Sequence, residues 1–193
     1  MKEIKYIFIA ILIVILAVLI KFIFITNLNK VKRDFREADE IIVLISYYRK
    51  NPLHNLGEFV KICRKIKDKK LKKKIIDILF NKKLKRNYRS SILYGRVKYA
   101  TFFRVVVLCY KKDEKRYNKI RLIGGDLIIG PYEVYEYVDR KGKFIIDEIF
   151  ELLNGNKASK KEEKLFFIIM KKLQIDREKG IKEAFKIMSE SEK

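Results

Sequence analysis

The single histidine, His54, and the two cysteines, Cys63 and Cys109, are the residues best suited to metal ligation or nucleophilic catalysis in this chain. Zinc sites are built from closely spaced pairs of such residues, and no two of these three share that spacing. A Ser-His-acid or Cys-His arrangement would have to use the same histidine, which follows the turn signal Asn51-Pro52 and reads as an exposed loop residue. Gly124-Gly125-Asp126 lacks the Lys-Ser/Thr that completes a phosphate loop and the third glycine of a dinucleotide fingerprint, so it reads as a hairpin turn. No metal, cofactor or catalytic residue is expected from these groups.

One carboxylate pattern carries a different chemistry. Asp126 opens a predicted strand, and Asp139-Arg140-Lys141 follows it. The arrangement resembles the D…(D/E)-x-K motif of restriction-endonuclease-like nucleases, a resemblance that implies a divalent metal held by two carboxylates and a lysine that positions the attacking water. It covers residues 126–141, and Lys141 stands in the turn sequence DRKGK instead of inside a central strand. Turn chemistry accounts for the same residues. Tyr132, Tyr135 and Tyr137, interleaved with Glu133 and Glu136, read as half-buried strand positions.

Charge is the strongest signal. The chain holds 46 lysines and arginines against 24 acidic residues, a formal net charge of +22. Residues 26–90 contain 20 of the basic residues against 7 acidic ones. The density peaks at Lys69, Lys70, Lys72, Lys73 and Lys74, on the polar side of a helix that Asp68 is placed to cap. These five lysines are the candidate anionic-surface-binding residues. A second group, Tyr94, Arg96, Lys98, Phe102 and Arg104, shares one face of a period-2 segment, and its mixture of aromatic and basic groups suits single-stranded nucleic acid. The partner classes to expect are a lipid bilayer with anionic headgroups, a nucleic acid, or an acidic protein, with the membrane surface favoured.

The elements that must position these groups begin with the run YIFIAILIVILAVLIKFIFI, residues 6–25. As a helix it would measure roughly 30 Å, the thickness of a bilayer's hydrocarbon core, and predicts a transmembrane helix behind a short tail, residues 1–5. Lys2 and Lys5 precede it, whereas Lys21, Lys30, Lys32, Arg33 and Arg36 stand at or beyond its C-terminal end, which predicts a single-pass protein of the cell membrane with a cytoplasmic C-terminal domain. Two cysteines provide no disulfide framework, in keeping with a reducing compartment.

Residues 26–90 read as a basic helical juxtamembrane arm. Val31, Phe35, Ala38, Ile42 and Ile45 recur at helical spacing and stop at Asn51-Pro52; Phe59, Ile62, Cys63 and Ile66, then Leu71, Ile75, Ile78 and Leu79, mark two more helices. Residues 91–147 read as a small antiparallel β-meander, with strands at 119–123, 126–129, 132–138 and 143–146. Residues 148–193 return to helix, with Asp147 as a cap, Ser159 and Glu162 as a capping box, and buried stripes at Leu165, Phe166, Ile169 and Leu173 and at Ile181, Ala184, Phe185 and Met188. The expected fold class is α+β. The expected function is non-catalytic binding of an anionic partner by a basic, membrane-tethered domain; nucleic-acid binding, nuclease activity and a structural role in a membrane complex are the alternatives.

Overall fold

The computed structural model describes residues 2–50, 57–87, 104–112, 116–123, 126–129, 133–138, 142–175 and 177–192. Helix α1 spans Lys2–Glu37, and the chain divides into two compact units, Met1–Arg33 and Asp34–Lys193.

In the N-terminal unit, the described side chains of the apolar run, Tyr6 to Leu16, are exposed. Among the described residues no helix is long and apolar enough to cross a membrane. The transmembrane helix expected at residues 6–25 is corrected on that finding, together with the single-pass architecture built on it.

Among the described residues, the second unit mixes helices with an antiparallel sheet of seven strands. The strands are β1 (Glu40–Lys50), β2 (Gly57–Ile66), β3 (Leu84–Arg86), β4 (Arg104–Lys111), β5 (Arg116–Ile123), β6 (Asp126–Ile129) and β7 (Glu133–Tyr137). They lie in the order β2-β1-β4-β5-β6-β7-β3. The helices are α2 (Lys69–Phe80), α3 (Gly142–Leu152), α4 (Lys160–Ile175) and α5 (Arg177–Ser191), with a 3-10 turn at Gly155–Lys157.

Register divides the side chains between the two faces of the sheet. Leu44 stands opposite Cys63 and Val106. On this face Ile42, Leu44, Cys63, Val106 and Leu108 form one core with Phe166, Ile169 and Leu173 of α4 and Ile181, Phe185 and Met188 of α5. Ile45, opposite Ile62 and Val105, points to the other face, a set that continues through Leu122 and Leu127 to Tyr135 and, two residues on, Tyr137. There the Tyr137 hydroxyl donates to the Leu79 carbonyl of α2 at 3.0 Å, and Tyr47 stacks on Phe150 of α3 with ring centroids 4.1 Å apart. The end of α1 lies on that face too, where Asn118 donates to the Asp34 carboxylate and the Phe35 ring meets Phe80.

With helices on both faces, a central strand must be apolar on both sides, and β1 is: Ile41, Ile42, Val43, Leu44 and Ile45 are all fully buried. Helical spacing read through Ile42 and Ile45 is a by-product of this continuous run. The sequence placed β1 and β2 in a helical arm; the structure ends α1 at Glu37 and makes both segments strands. Ile62 and Cys63, adjacent in β2, are both buried because both faces are covered. Residues 143–146, read as a strand, lie inside α3, whose Ile145 and Ile149 are buried together with Leu153 just beyond its end, at four-residue spacing; Asp147 is inside that helix and is not its cap.

The chain passes from α3 on one face to α4 on the other, and the 3-10 turn between them lies against β2, at the sheet edge. Asn154 turns the chain in the left-handed region, φ 49°. Gly155 follows against the Phe150 ring, where a Cβ would come within 2.3 Å of it. Arg64 of β2 closes the same edge through Glu162, Nε to Oε1 2.5 Å. The opposite edge is β3, three residues long; a covered edge and a short edge both limit unwanted strand pairing.

Candidate anionic-surface site

Helix α2 is defined at its start by Asp68, whose carboxylate accepts from the Leu71 backbone N–H at 2.6 Å. Its C-terminal end is fixed by Asn81, whose N–H donates to the Asp77 carbonyl and whose side-chain amide donates to the Asp77 carboxylate at 2.9 Å. Ile75, Ile76, Leu79 and Phe80 bury one side of the helix. That burial fixes which lysines reach solvent.

Lys69, Lys70, Lys73 and Lys74 are exposed, and among the described residues none of them meets a carboxylate. At 100° per residue they fall within one arc of about 140°, on the side away from Ile75 and Leu79, with about 6 Å of rise between Lys69 and Lys73. The fifth candidate behaves differently. Lys72 is half-buried and its ammonium donates to the Ala38 carbonyl, joining α2 to the segment that follows α1. Burial holds its pKa below the ordinary lysine value, Asp39 acting in the opposite direction. Lys72 is therefore a structural clamp, and the solvent-facing patch is four lysines at the N-terminal half of a helix that has no acidic residue in its first turn. The positive end of the helix dipole adds to their field.

Of the second candidate group, Arg104 alone lies among the described residues. Tyr94, Arg96, Lys98 and Phe102 lie outside the described residues, and Arg104 opens β4 opposite Ser46 and Ile123. The nuclease pattern is divided in the same way: Asp126 opens β6 opposite Ile123, whereas Asp139 and Lys141 lie outside the described residues, as do His54, Gly124 and Gly125. Tyr137 is spent on Leu79, and its buried phenol is pushed well above the ordinary tyrosine value by desolvation. Tyr135 donates to the Glu133 carboxylate at 3.3 Å.

Neither thiol is set up as a nucleophile. Cys63 is buried with its sulfur 3.5 Å from that of Met188, and burial pushes its pKa up to about 12, with Glu162 adding to the effect. Cys109 is buried on the other face and is likewise pushed to about 12 by desolvation. A nucleophilic cysteine needs the thiolate, which such environments disfavour. Among the described residues no group of three or more His, Cys, Asp or Glu side chains is placed to hold a metal ion.

What the sequence did not reveal is which lysines are already committed. Lys65, with a side chain only 2% exposed, lies between Glu40 at 3.6 Å and Glu192 at 3.2 Å; Lys67 meets Glu192 at 2.7 Å and Lys111 meets Glu37 at 2.7 Å. These partners are distant in sequence, so no local spacing could have announced them. Compared with protein-family models, with curated proteins and with solved structures, the chain finds no match.

Proposed function

We propose that this protein is a non-catalytic binding module that docks on the anionic headgroups of a lipid membrane through Lys69, Lys70, Lys73 and Lys74. The observation that carries this reading is the pairing state of its cations. Around β2 long-range carboxylates take up Arg64, Lys65 and Lys67, while these four reach solvent from a convex helix and, among the described residues, are bonded to no carboxylate. A convex face suits an extended charged surface. The one aromatic side chain of α2, Phe80, is buried and offers no surface on which a base could stack, which favours headgroups over single-stranded nucleic acid. Apolar side chains exposed from Tyr6 to Leu16 in the separate N-terminal unit add surface of the kind that lipids or apolar partners take up.

Each lysine near an anionic leaflet contributes about 1 kcal/mol, so four supply about 4 kcal/mol, roughly a thousandfold in affinity. The test is flotation of the full-length protein with phosphatidylcholine vesicles, with and without phosphatidylserine. The extra binding conferred by phosphatidylserine should be lost in K69Q/K70Q/K73Q/K74Q and should fall with added salt, while binding to neutral vesicles stays the same. An undiminished phosphatidylserine response in the variant contradicts the reading. Transfer of that salt-sensitive binding to an oligonucleotide would favour nucleic acid instead.

A further inference from the structure

Helix α4 carries a second surface, on the opposite face of the sheet from α2. The reciprocal bonds of Ser159 and Glu162 start the helix, and Phe166, Ile169 and Leu173 bury its inner stripe. Phe167 and Ile168 fall outside that stripe and are 55% and 47% exposed. Single exposed apolar residues are ordinary, but two adjacent large ones on a helix otherwise rimmed by charge are not. Lys164 lies one turn before them and Lys171 one turn after, both exposed and neither bonded to a carboxylate among the described residues. Lys160 extends the basic rim toward the N-terminus of the helix.

We propose that this ridge docks an acidic amphipathic helix of a partner protein, with apolar side chains seated on Phe167 and Ile168 and carboxylates meeting Lys164 and Lys171. Charge complementarity selects the occupant. A second copy placed antiparallel about Phe167 and Ile168 sets Lys164 against the other copy's Lys171, and a parallel one sets each lysine against itself; the net charge of +22 opposes both. A lipid surface engaged by α2 lies on the other side of the sheet, so this exclusion of lipid rests on the function proposed above. Lys164 and Lys171 are seven residues apart, about 10 Å along the axis, with the apolar pair midway. The complementary pattern is two acidic residues seven apart flanking two apolar ones, a helix-to-helix recognition in which apolar contact supplies affinity and charge supplies register.

The probe is a fluorescent synthetic helical peptide with glutamates seven residues apart and leucines at the third and fourth positions between them, titrated into full-length protein and followed by anisotropy. A control peptide carries lysines in place of the glutamates. The acidic peptide should bind, and the basic one should bind at least tenfold more weakly. F167S/I168S should lower affinity at least tenfold. K164E/K171E, which leaves the apolar pair intact should the first variant fold poorly, should reverse the peptide preference. K69Q/K70Q/K73Q/K74Q should leave peptide affinity unchanged, so loss of vesicle binding and loss of peptide binding report on separate surfaces. Equal binding of both peptides, no preference switch in K164E/K171E, or no acidic-peptide binding overturns the proposal. So does loss of vesicle binding in F167S/I168S, which assigns the ridge to lipid, or a dimer in sedimentation that F167S/I168S dissolves, which assigns it to a second copy.

Discussion

The end of the unit where β2 meets α4 and α5 and the solvent side of α2 are built from the same basic residue types and treat them in opposite ways. At the β2 end, Arg64, Lys65 and Lys67 are taken up by Glu162, Glu40 and Glu192, carboxylates drawn from α4, β1 and the C-terminus. On α2, Lys69, Lys70, Lys73 and Lys74 meet no such partner among the described residues, although Lys69 follows Lys67 by only two residues. Basic density in sequence is thus a poor measure of available charge. Topology decides which cations stabilise the fold and which remain for a ligand, and Lys72 shows that the boundary can run between neighbours on a single helix.

Alkali should have the largest effect on the fold. Cys63, Cys109 and Tyr47 have folded-state values pushed up to about 12 from ordinary values of 9.0, 9.0 and 10.0, mainly by burial. Below pH 9 these groups are neutral folded or unfolded and cost nothing. As pH rises from 9 toward 12 the unfolded chain ionises first, so stability is present at neutral pH and lost across that window. Chemical-denaturant midpoints measured from pH 8 to 11 should fall, and Cys63→Val should flatten part of the decline. A midpoint independent of pH would mean that the thiols are not buried as described. At neutral pH both thiols should resist alkylation until the protein unfolds.

Next in size is the β2 end itself. Lys65→Gln removes a nearly buried cation from two partly exposed carboxylates, and a loss of about 1–3 kcal/mol is expected, solvent screening keeping it below the cost of breaking a fully buried pair. The phosphatidylserine response should survive that change. Lys72→Gln should cost about 1 kcal/mol by weakening the bond to Ala38, again read in a denaturant melt. Smallest of all, Lys69→Gln should shift stability by less than about 0.5 kcal/mol, since its side chain is exposed and has no carboxylate partner among the described residues. If Lys69→Gln and Lys65→Gln destabilise equally, the distinction between committed and available lysines fails.

Local chemistry made some of this legible. Asp68 and the Ser159-Glu162 pair announce helix starts through side-chain bonds spanning three residues, and the strands read at 119–123 and 126–129 pair antiparallel in the sheet. Long-range burial was less accessible. The residues Ile41 to Ile45 are apolar without interruption because helices cover both sides of β1, and such a run fits a buried strand or a buried helix equally well. β2 was obscured for the same reason. In α3, Phe144-Ile145-Ile146 imitates a strand locally, and only packing at Ile149 and Leu153 makes the helical period dominant. The α2 site was visible as composition, yet the inward turn of Lys72 depends on Ala38, 34 residues away. The α4 ridge was hidden behind the more regular stripe of Leu165, Phe166, Ile169 and Leu173.

The central claim is that four particular lysines, out of 46 basic residues, give this protein its affinity for an anionic lipid surface. The direct measurement is the salt dependence of phosphatidylserine-vesicle binding for the full-length protein beside K69Q/K70Q/K73Q/K74Q and an equal-charge control, K82Q/K83Q/K85Q/K157Q. The parent protein and the control should show a steep salt dependence, and the α2 variant a flat, much weaker response. Equal losses in the two variants would show that net charge alone governs binding, and would contradict that claim.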